Sequence, residues 1–322
     1  MTDRKRILKR INIVVVALTA GAMTLSGCSS ASPGSPSGDD ETGSGEPVSV
    51  DTLKGKVEVP ADPESVVALN TPSADVSAQL GTRPVAVATS PDELNAWQQG
   101  VLDDVADDSL VSDSYEVDVE KVASYEPDVI FAAPWNVTDE AVYEQLSDIA
   151  PVVVPKSEST NPDWDVSAQV VGEALGKKDE VEEAIAATKE SMKSLGQDLE
   201  VEGKTYQVIS PRSDGIYFGN AAPLELLGLK PGQHQTPEEV NRFTLSAEEL
   251  NQLDADYLFI WAMDEDAKST VEDNPSYDSL PAVKNGTAKF VDADFTTAIN
   301  GASPASLDWL INDSGIEDVL EK

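Results

Sequence analysis

The segment Lys178–Leu199, KDEVEEAIAATKESMKSLGQDL, decides the architecture. Its apolar residues Val181, Ile185, Met192, Leu195 and Leu199 recur at helical spacing, with Ala184 and Thr188 completing the stripe. Neither Gly nor Pro interrupts positions 177–195, so the spacing predicts one helix over 178–199. At about 1.5 Å per residue that is a rod of roughly 30 Å, comparable to the diameter of a small domain. A rod of that length can brace two bodies and hold them apart, which a short loop cannot do.

On either side of the rod, short β-branched runs alternate with longer amphipathic stretches. Before it come Val66–Leu69, Val85–Ala88, Val129–Phe131 and Val152–Val154, and after it Tyr206–Ile209, Tyr257–Ile260 and Lys289–Val291. Strands alternating with helices predict parallel α/β sheets, one in each half. The halves also repeat one another. Asp118-Val119-Glu120 leads to the strand opening at Asp128, and Ser246-Ala247-Glu248 leads to the strand opening at Asp256, with every equivalent position 128 residues apart. In each copy a capping residue, Asp118 or Ser246, opens a helix. The segments Leu80-Gly81-Thr82-Arg83-Pro84 and Leu227-Gly228-Leu229-Lys230-Pro231 place a glycine at a helix exit in each half.

The chain begins with five basic residues, Arg4, Lys5, Arg6, Lys9 and Arg10, followed by an uncharged run from Ile11 to Leu25. This reads as a secretory signal, too short and too rich in small residues for a spanning helix of ~20 residues. The sequence Leu25-Ser26-Gly27-Cys28 resembles the lipobox of bacterial lipoproteins, and Cys28 is the only cysteine in the chain. The resemblance implies cleavage before Cys28, acylation of its thiol and anchoring to the outer face of the cell membrane. Residues 29–50 have almost nothing to bury and read as a flexible tether. The expected organisation is therefore signal 1–27, lipidated cysteine and tether 28–54, first lobe 55–177, rod 178–199 and second lobe 200–322.

Composition excludes several functions. With 22 Lys+Arg against 59 Asp+Glu the formal net charge is −37. Removal of residues 1–27 leaves 17 basic and 58 acidic side chains. Such a surface repels polyphosphate, so nucleic acid is not a partner. A single histidine, His234, rules out multi-histidine metal sites, and no GxSxG elbow is present, so an extracellular hydrolase is the weaker reading.

An N-terminal lipobox, a tether and two α/β lobes joined by one long helix together resemble the helical-backbone (class III) substrate-binding lipoproteins of bacterial ABC importers. The resemblance is carried by VVALNTPSADVSAQLGTRPVAVA (66–88), DVEKVASYEPDVIFAA (118–133), QLSDIAPVVV (145–154), the rod, and LSAEELNQLDADYLFIW (245–261). It implies two Rossmann-like lobes with parallel sheets, a ligand cleft between them, no enzymatic activity, a monomer and small closure on binding. It further implies an iron-siderophore, haem or cobalamin as cargo, and as partners an ABC permease with its ATPase. By motif position, Glu120 and Glu248 would dock on the permease. No cofactor is implied beyond a cargo whose iron arrives already chelated.

Ligands of open α/β sheets sit beyond the carboxyl ends of the strands. The residues there are Asn70, Thr71, Trp97, Trp135 and Trp164 in the first lobe, and Arg212, Tyr217, Trp261, Met263 and Phe295 in the second. Aromatic walls can grip a bulky, partly apolar guest. Trp309, inside LDWLI, is expected in the core. Arginine is scarce after residue 27, with only Arg83, Arg212 and Arg242 present. Arg83 reads as structural, Arg242 as able to serve either lobe surface or cleft, and Arg212 as a partner for oxygens around a chelated metal. So few cations favour a neutral or cationic ferric hydroxamate over a ferric catecholate. Haem needs an axial ligand, and His234 lies in a turn away from any strand end. A cobalamin cargo stays open.

Overall fold

A computed structural model describes residues 45–112, 114–157, 163–236 and 243–322. The signal segment, Cys28, most of the tether and Arg242 lie outside the described residues. The first sheet contains β3 (Val66–Ala68), β4 (Ala86–Val87), β5 (Val129–Phe131) and β6 (Val152–Val153), in the order β4-β3-β5-β6 and parallel throughout. Ahead of it, β1 (Val48–Thr52) and β2 (Gly55–Val59) form an antiparallel hairpin. The folded body thus starts at Val48, earlier than the expected boundary at 55. Val50 and Val59 face the first-lobe core while their neighbours face solvent, an alternation weak enough to pass for tether. The helices of this lobe are α1 (Thr71–Gln79), α2 (Val119–Ala123), α3 (Glu140–Ser147) and α4 (Trp164–Ala174).

Helix α5 (Lys178–Asp198) follows, within one residue of the span read from periodicity. Its apolar stripe is shared between two cores. Val181 is fully buried in a first-lobe cluster with Val66, Val129 and Phe131, and Ile185 packs on the same cluster. Met192 is fully buried among Tyr206, Val208 and Phe259 of the second lobe, with Leu195 and Leu199 beside it. Each buried side chain is worth about 1.5 to 3 kcal/mol, so both ends of the rod are fastened. Two glycines allow the close approach. A Cβ on Gly172 of α4 would lie 2.2 Å from Val181 Cγ1, and one on Gly196 of α5 would lie 1.9 Å from the Leu227 carbonyl oxygen.

The second sheet has the order β10-β8-β7-β11-β12, with β9 also beside β7. Its strands are β7 (Thr205–Arg212), β8 (Gly215–Phe218), β9 (Lys230–Pro231), β10 (Thr244–Leu245), β11 (Tyr257–Ile260) and β12 (Ala288–Phe290). β7, β9, β11 and β12 are mutually parallel, whereas β8 and β10 add an antiparallel flank absent from the first lobe. The β7–β8 turn is Ser213-Asp214 followed by Gly215, and the register Arg212↔Gly215 leaves a two-residue loop. The helices are α6 (Glu265–Glu272), α7 (Pro281–Asn285), α8 (Ala293–Asn300), α9 (Pro304–Asn312) and α10 (Glu317–Leu320). Among the described residues no strand links the two sheets, and no helix is long and apolar enough to cross a membrane.

The 128-residue repeat has a physical counterpart. Asp128 Oδ2 accepts the backbone N–H groups of Glu64 and Ser65, each at 2.9 Å, just before β3. Asp256 Oδ2 accepts the Thr205 N–H at 2.8 Å and its hydroxyl at 3.0 Å, at the start of β7. Each aspartate pins the neighbouring strand's entry. Gly81 and Gly228 both take left-handed φ, +82° and +86°, at the paired helix exits. The copies differ at their helices: Val119–Ala123 is an α-helix, while Ala247–Gln252 is a 3₁₀ turn.

Candidate functional site

At the carboxyl ends of β3, β4 and β5 lies a cavity of about 280 Å³. Asn70, Thr71 and Ser73 come from the start of α1, Trp135 from the turn after β5, and Asn300 and Gly301 from the second lobe. The opening of α1 is set locally. Asn70 has extended backbone and its Oδ1 accepts the Ser73 N–H at 3.0 Å, while Pro72 occupies an early helical position that needs no donor. Because Oδ1 is committed to the cap, Nδ2 of Asn70 is the group left to donate into the cavity. Trp135 stands edge-on to Tyr115, with ring centroids 5.7 Å apart. No residue lining this cavity carries a charge. Asn136, directly after Trp135, is buried with its Oδ1 taken by the Ala133 N–H at 2.8 Å and its Nδ2 unpaired.

The second lobe offers its own set at the carboxyl ends of β7 and β11. Val208, Ser210 and Arg212 alternate onto one side of β7, and pairing of Ser210 with Tyr217 brings that ring to the same side. Trp261, one residue past β11, continues the column of Phe259 on that face and packs on the core with Val208 and Phe259. The Arg212 guanidinium lies over the Tyr217 ring, 4.6 Å from its centroid, and the Tyr217 hydroxyl donates to Asp214 at 2.7 Å. That bond to a carboxylate raises the Tyr217 phenol above its usual pKa. The Ser210 hydroxyl is buried in the same column without a partner. Past the strand ends, Met263, Asp264 and Asp266 border Arg212, and Met263 is 64% exposed, an apolar side chain left in water.

A fold of two α/β lobes on one rod, with a cavity at strand ends roofed by the opposite lobe, sets the frame for comparison with known proteins. The model of the family described as periplasmic binding protein matches residues 66–295. The chain belongs to that family. Periplasmic binding proteins are the non-enzymatic substrate-binding components of ABC importers. The chain is similar to the Fe(3+)-citrate-binding protein YfmC of Bacillus subtilis (strain 168), 28% identical over 321 residues, covering 98% of this chain and 97% of the relative. It is also similar to the "Probable siderophore-binding lipoprotein YfiY" of the same organism, 29% identical over 325 residues, covering 95% and 97%. In fold it matches a periplasmic solute binding protein from Mycobacterium smegmatis str. MC2 155, at a TM-score of 0.71, 23% identity and coverage of 85% and 99%.

In this periplasmic binding protein several expected cleft residues lie elsewhere. Phe295 is 2% exposed and stacks on Phe259 with centroids 5.1 Å apart, because the Asp292 cap on its N–H turns the start of α8 into the core. Trp97 follows the second strand in sequence but the loop carries it to the far side of α1. There its Nε1 donates to Asp75 Oδ2 at 2.8 Å, and its ring leans on Trp309 at 5.4 Å. Trp309 is half-buried, not fully enclosed; with Trp97 it borders a second cavity of about 500 Å³ between α5 and α9, near Gln79 at the C-terminal end of α1. That cavity is larger, but it lies away from the strand ends where this fold binds ligands. Trp164 opens α4 and packs on the second-lobe core, with Lys189 Nζ 5.7 Å from its ring centroid.

Other expectations meet plain geometry. Arg83 bonds the Val101 carbonyl at 2.7 Å and pairs with Asp104, which fits a structural role. The His234 ring stacks on Phe243 at 4.0 Å and shares a 3.0 Å hydrogen bond with Gln252. Among the described residues no cluster of His, Cys, Asp or Glu could hold a metal ion. Glu120 and Glu248 are exposed on the first turns of equivalent elements. Glu249 spends its carboxylate on the Ser246 N–H at 3.1 Å and hydroxyl at 2.9 Å, which leaves Glu248 to solvent. Sequence reading missed Tyr115, Asn136, Ser210 and Asp75. Tyr115 has a left-handed φ of +64°, which no sequence signal at a non-glycine announces.

Proposed function

We propose that this chain is an extracytoplasmic lipoprotein that captures a ferric siderophore, a ferric hydroxamate by preference, and delivers it to an ABC permease. Acylated Cys28 anchors it to the cell membrane. The cargo sits between the cavity at Asn70 and Trp135 and the opposite wall of Arg212, Tyr217 and Trp261. Iron stays within its chelator, and the protein supplies aromatic surface and hydrogen-bond donors. Glu120 and Glu248 meet basic permease pockets, one from each lobe, which fixes register and steers approach. The names of the B. subtilis relatives, a ferric citrate binder and a siderophore-binding lipoprotein, support the cargo class and the anchor.

The observation that carries the hydroxamate preference is the charge of the walls. The cavity lining is uncharged, and Arg212 at the second wall is accompanied by Asp214, Asp264 and Asp266. A trianionic catecholate complex would meet one cation and three carboxylates. Each like-charge approach at ~4 Å costs about 1 kcal/mol in water and up to ~4 kcal/mol near a protein surface. A neutral or cationic hydroxamate complex avoids that cost and meets the uncharged lining, where Asn70 Nδ2 remains to donate. Tryptophan fluorescence of the chain from Ser29 onward, titrated with ferric hydroxamates, ferric catecholates, haem and cobalamin, tests the reading. Saturable quenching strongest with a hydroxamate is expected. Tighter binding of a catecholate would overturn the preference, and binding of none of the iron complexes would overturn the cargo class.

A further inference from the structure

Asp75 is buried on α1, and its carboxylate gathers donors from both lobes. Oδ2 accepts Trp97 Nε1 at 2.8 Å and the Ser303 hydroxyl at 2.9 Å, and Oδ1 accepts Gln98 Nε2 at 2.8 Å. Trp97 and Gln98 belong to the first lobe, whereas Ser303 is the N-cap of α9 in the second. Burial pushes the Asp75 carboxyl up to about 6 against the pull of these three hydrogen bonds. On the same side, the rings of Trp97 and Trp309 of α9 meet with centroids 5.4 Å apart. Trp97 and Gln98 of the first lobe are therefore tied to α9, through Asp75 and through the Trp309 ring. Both partners of the central bond adjoin the front cavity. Asp75 lies two residues from Ser73, and Ser303 two residues from Gly301, and these two residues line opposite walls.

We propose that Asp75 is a positioning residue, a latch that holds the two walls of the ligand cavity at a fixed separation through its bond to Ser303. The rod alone fastens the lobes along one line and leaves rotation about that line open; a buried charge-assisted bond off the axis removes that freedom. A pre-set cavity loses less entropy on taking up a rigid guest, so the latch acts mainly on how long the guest stays. The consequence for dissociation rests on the siderophore reading above. The fixed separation does not.

The test uses the chain from Ser29 onward, which lacks Cys28, with spin labels at exposed sites on each lobe introduced by Gln145→Cys and Ser269→Cys. Interlobe distances are measured in the ligand-free protein and its variants. Ser303→Ala and Asp75→Ala are expected to broaden the distance distribution and, for the bound ferric hydroxamate, to raise the dissociation rate about tenfold, the effect of one charge-assisted hydrogen bond. Asp292→Ala removes the neighbouring helix cap on Phe295 without touching the first lobe. It should lower the melting temperature and leave the distances unchanged. An unaltered distribution in Ser303→Ala, with Asp75→Ala also unaltered or unfolded, would overturn the latch. Failure of the parent protein to bind any ferric complex would instead overturn the siderophore reading, and the ligand-free distances would still decide the latch.

Discussion

Substitution of Gly196 by alanine sets two known effects against each other. In an exposed helix the change would stabilise by about 1 kcal/mol, since glycine carries the larger backbone entropy cost. Here the added Cβ would lie 1.9 Å from the Leu227 carbonyl oxygen and 2.6 Å from its carbon. That is roughly 1.5 Å inside the range of ordinary non-bonded contact. The obstacle is backbone, so no side chain can rotate away, and either α5 or the turn at Leu227 must shift. Overpacking of this kind costs about 1 to 3 kcal/mol and more when the backbone is blocked. Net destabilisation of about 2 kcal/mol follows, equivalent to a fall of roughly 3 to 4 °C in melting temperature for a body of this size. Calorimetry of the purified chain reads it directly. Equal or greater stability in the Gly196→Ala variant would show that the rod does not press on the second lobe and would refute the bracing argument.

Further predictions concern the site, the docking surface and pH. Phe295→Ala should cost ~3 to 5 kcal/mol of stability as a core truncation, measured by urea unfolding, whereas Trp135→Ala should weaken ferric hydroxamate binding with little change in stability. Glu120→Arg combined with Glu248→Arg should abolish uptake in cells while calorimetric titration shows ligand affinity intact; loss of ligand binding would reject the docking role. Asp75 has its folded pKa raised from 3.8 to about 6, so proton uptake accompanies folding. Its stabilisation is full below the unfolded value and is lost as pH rises through the folded one, about 3 kcal/mol in all. Unfolding curves between about pH 4 and pH 7 should show Asp75→Asn gaining that amount relative to the parent. Asp107 behaves oppositely: bonds from Ser109, Tyr125 and Lys121 outweigh burial and hold its carboxyl well below the usual range, so its contribution is present above the unfolded pKa and lost as pH falls through the folded one. Lys121→Ala should shrink that acid sensitivity in the same measurement.

The architecture was legible where periodicity and spacing speak. The stripe from Val181 to Leu199 marked α5 because both lobes bury it, and the matched positions at Asp128 and Asp256 marked the repeat because each pins a strand entry. The N-terminal hairpin escaped because only Val50, Thr52 and Val59 of its ten residues are buried, and just two of these are apolar, too sparse a pattern to separate from tether. The site was read in part. Asn70 and Trp135 come within a few residues of their strand ends, so chain order predicts their place in the cavity lining. Trp97 does not, because a long excursion between β4 and α2 carries it behind α1. Phe295 was deceptive because a cap two residues beyond a strand end can turn an aromatic inward as easily as outward. Asp75 carries no local signal at all: its role exists only through Ser303, 228 residues away.

The most direct test of the central claim is to locate the iron. Anomalous scattering from a crystal of the protein with a bound ferric hydroxamate would do so. One iron is expected beyond the strand ends, between Trp135 of the first lobe and Arg212, Tyr217 and Trp261 of the second. Iron in the rear cavity beside α5 and Trp309, or no ordered iron in either place, would contradict it.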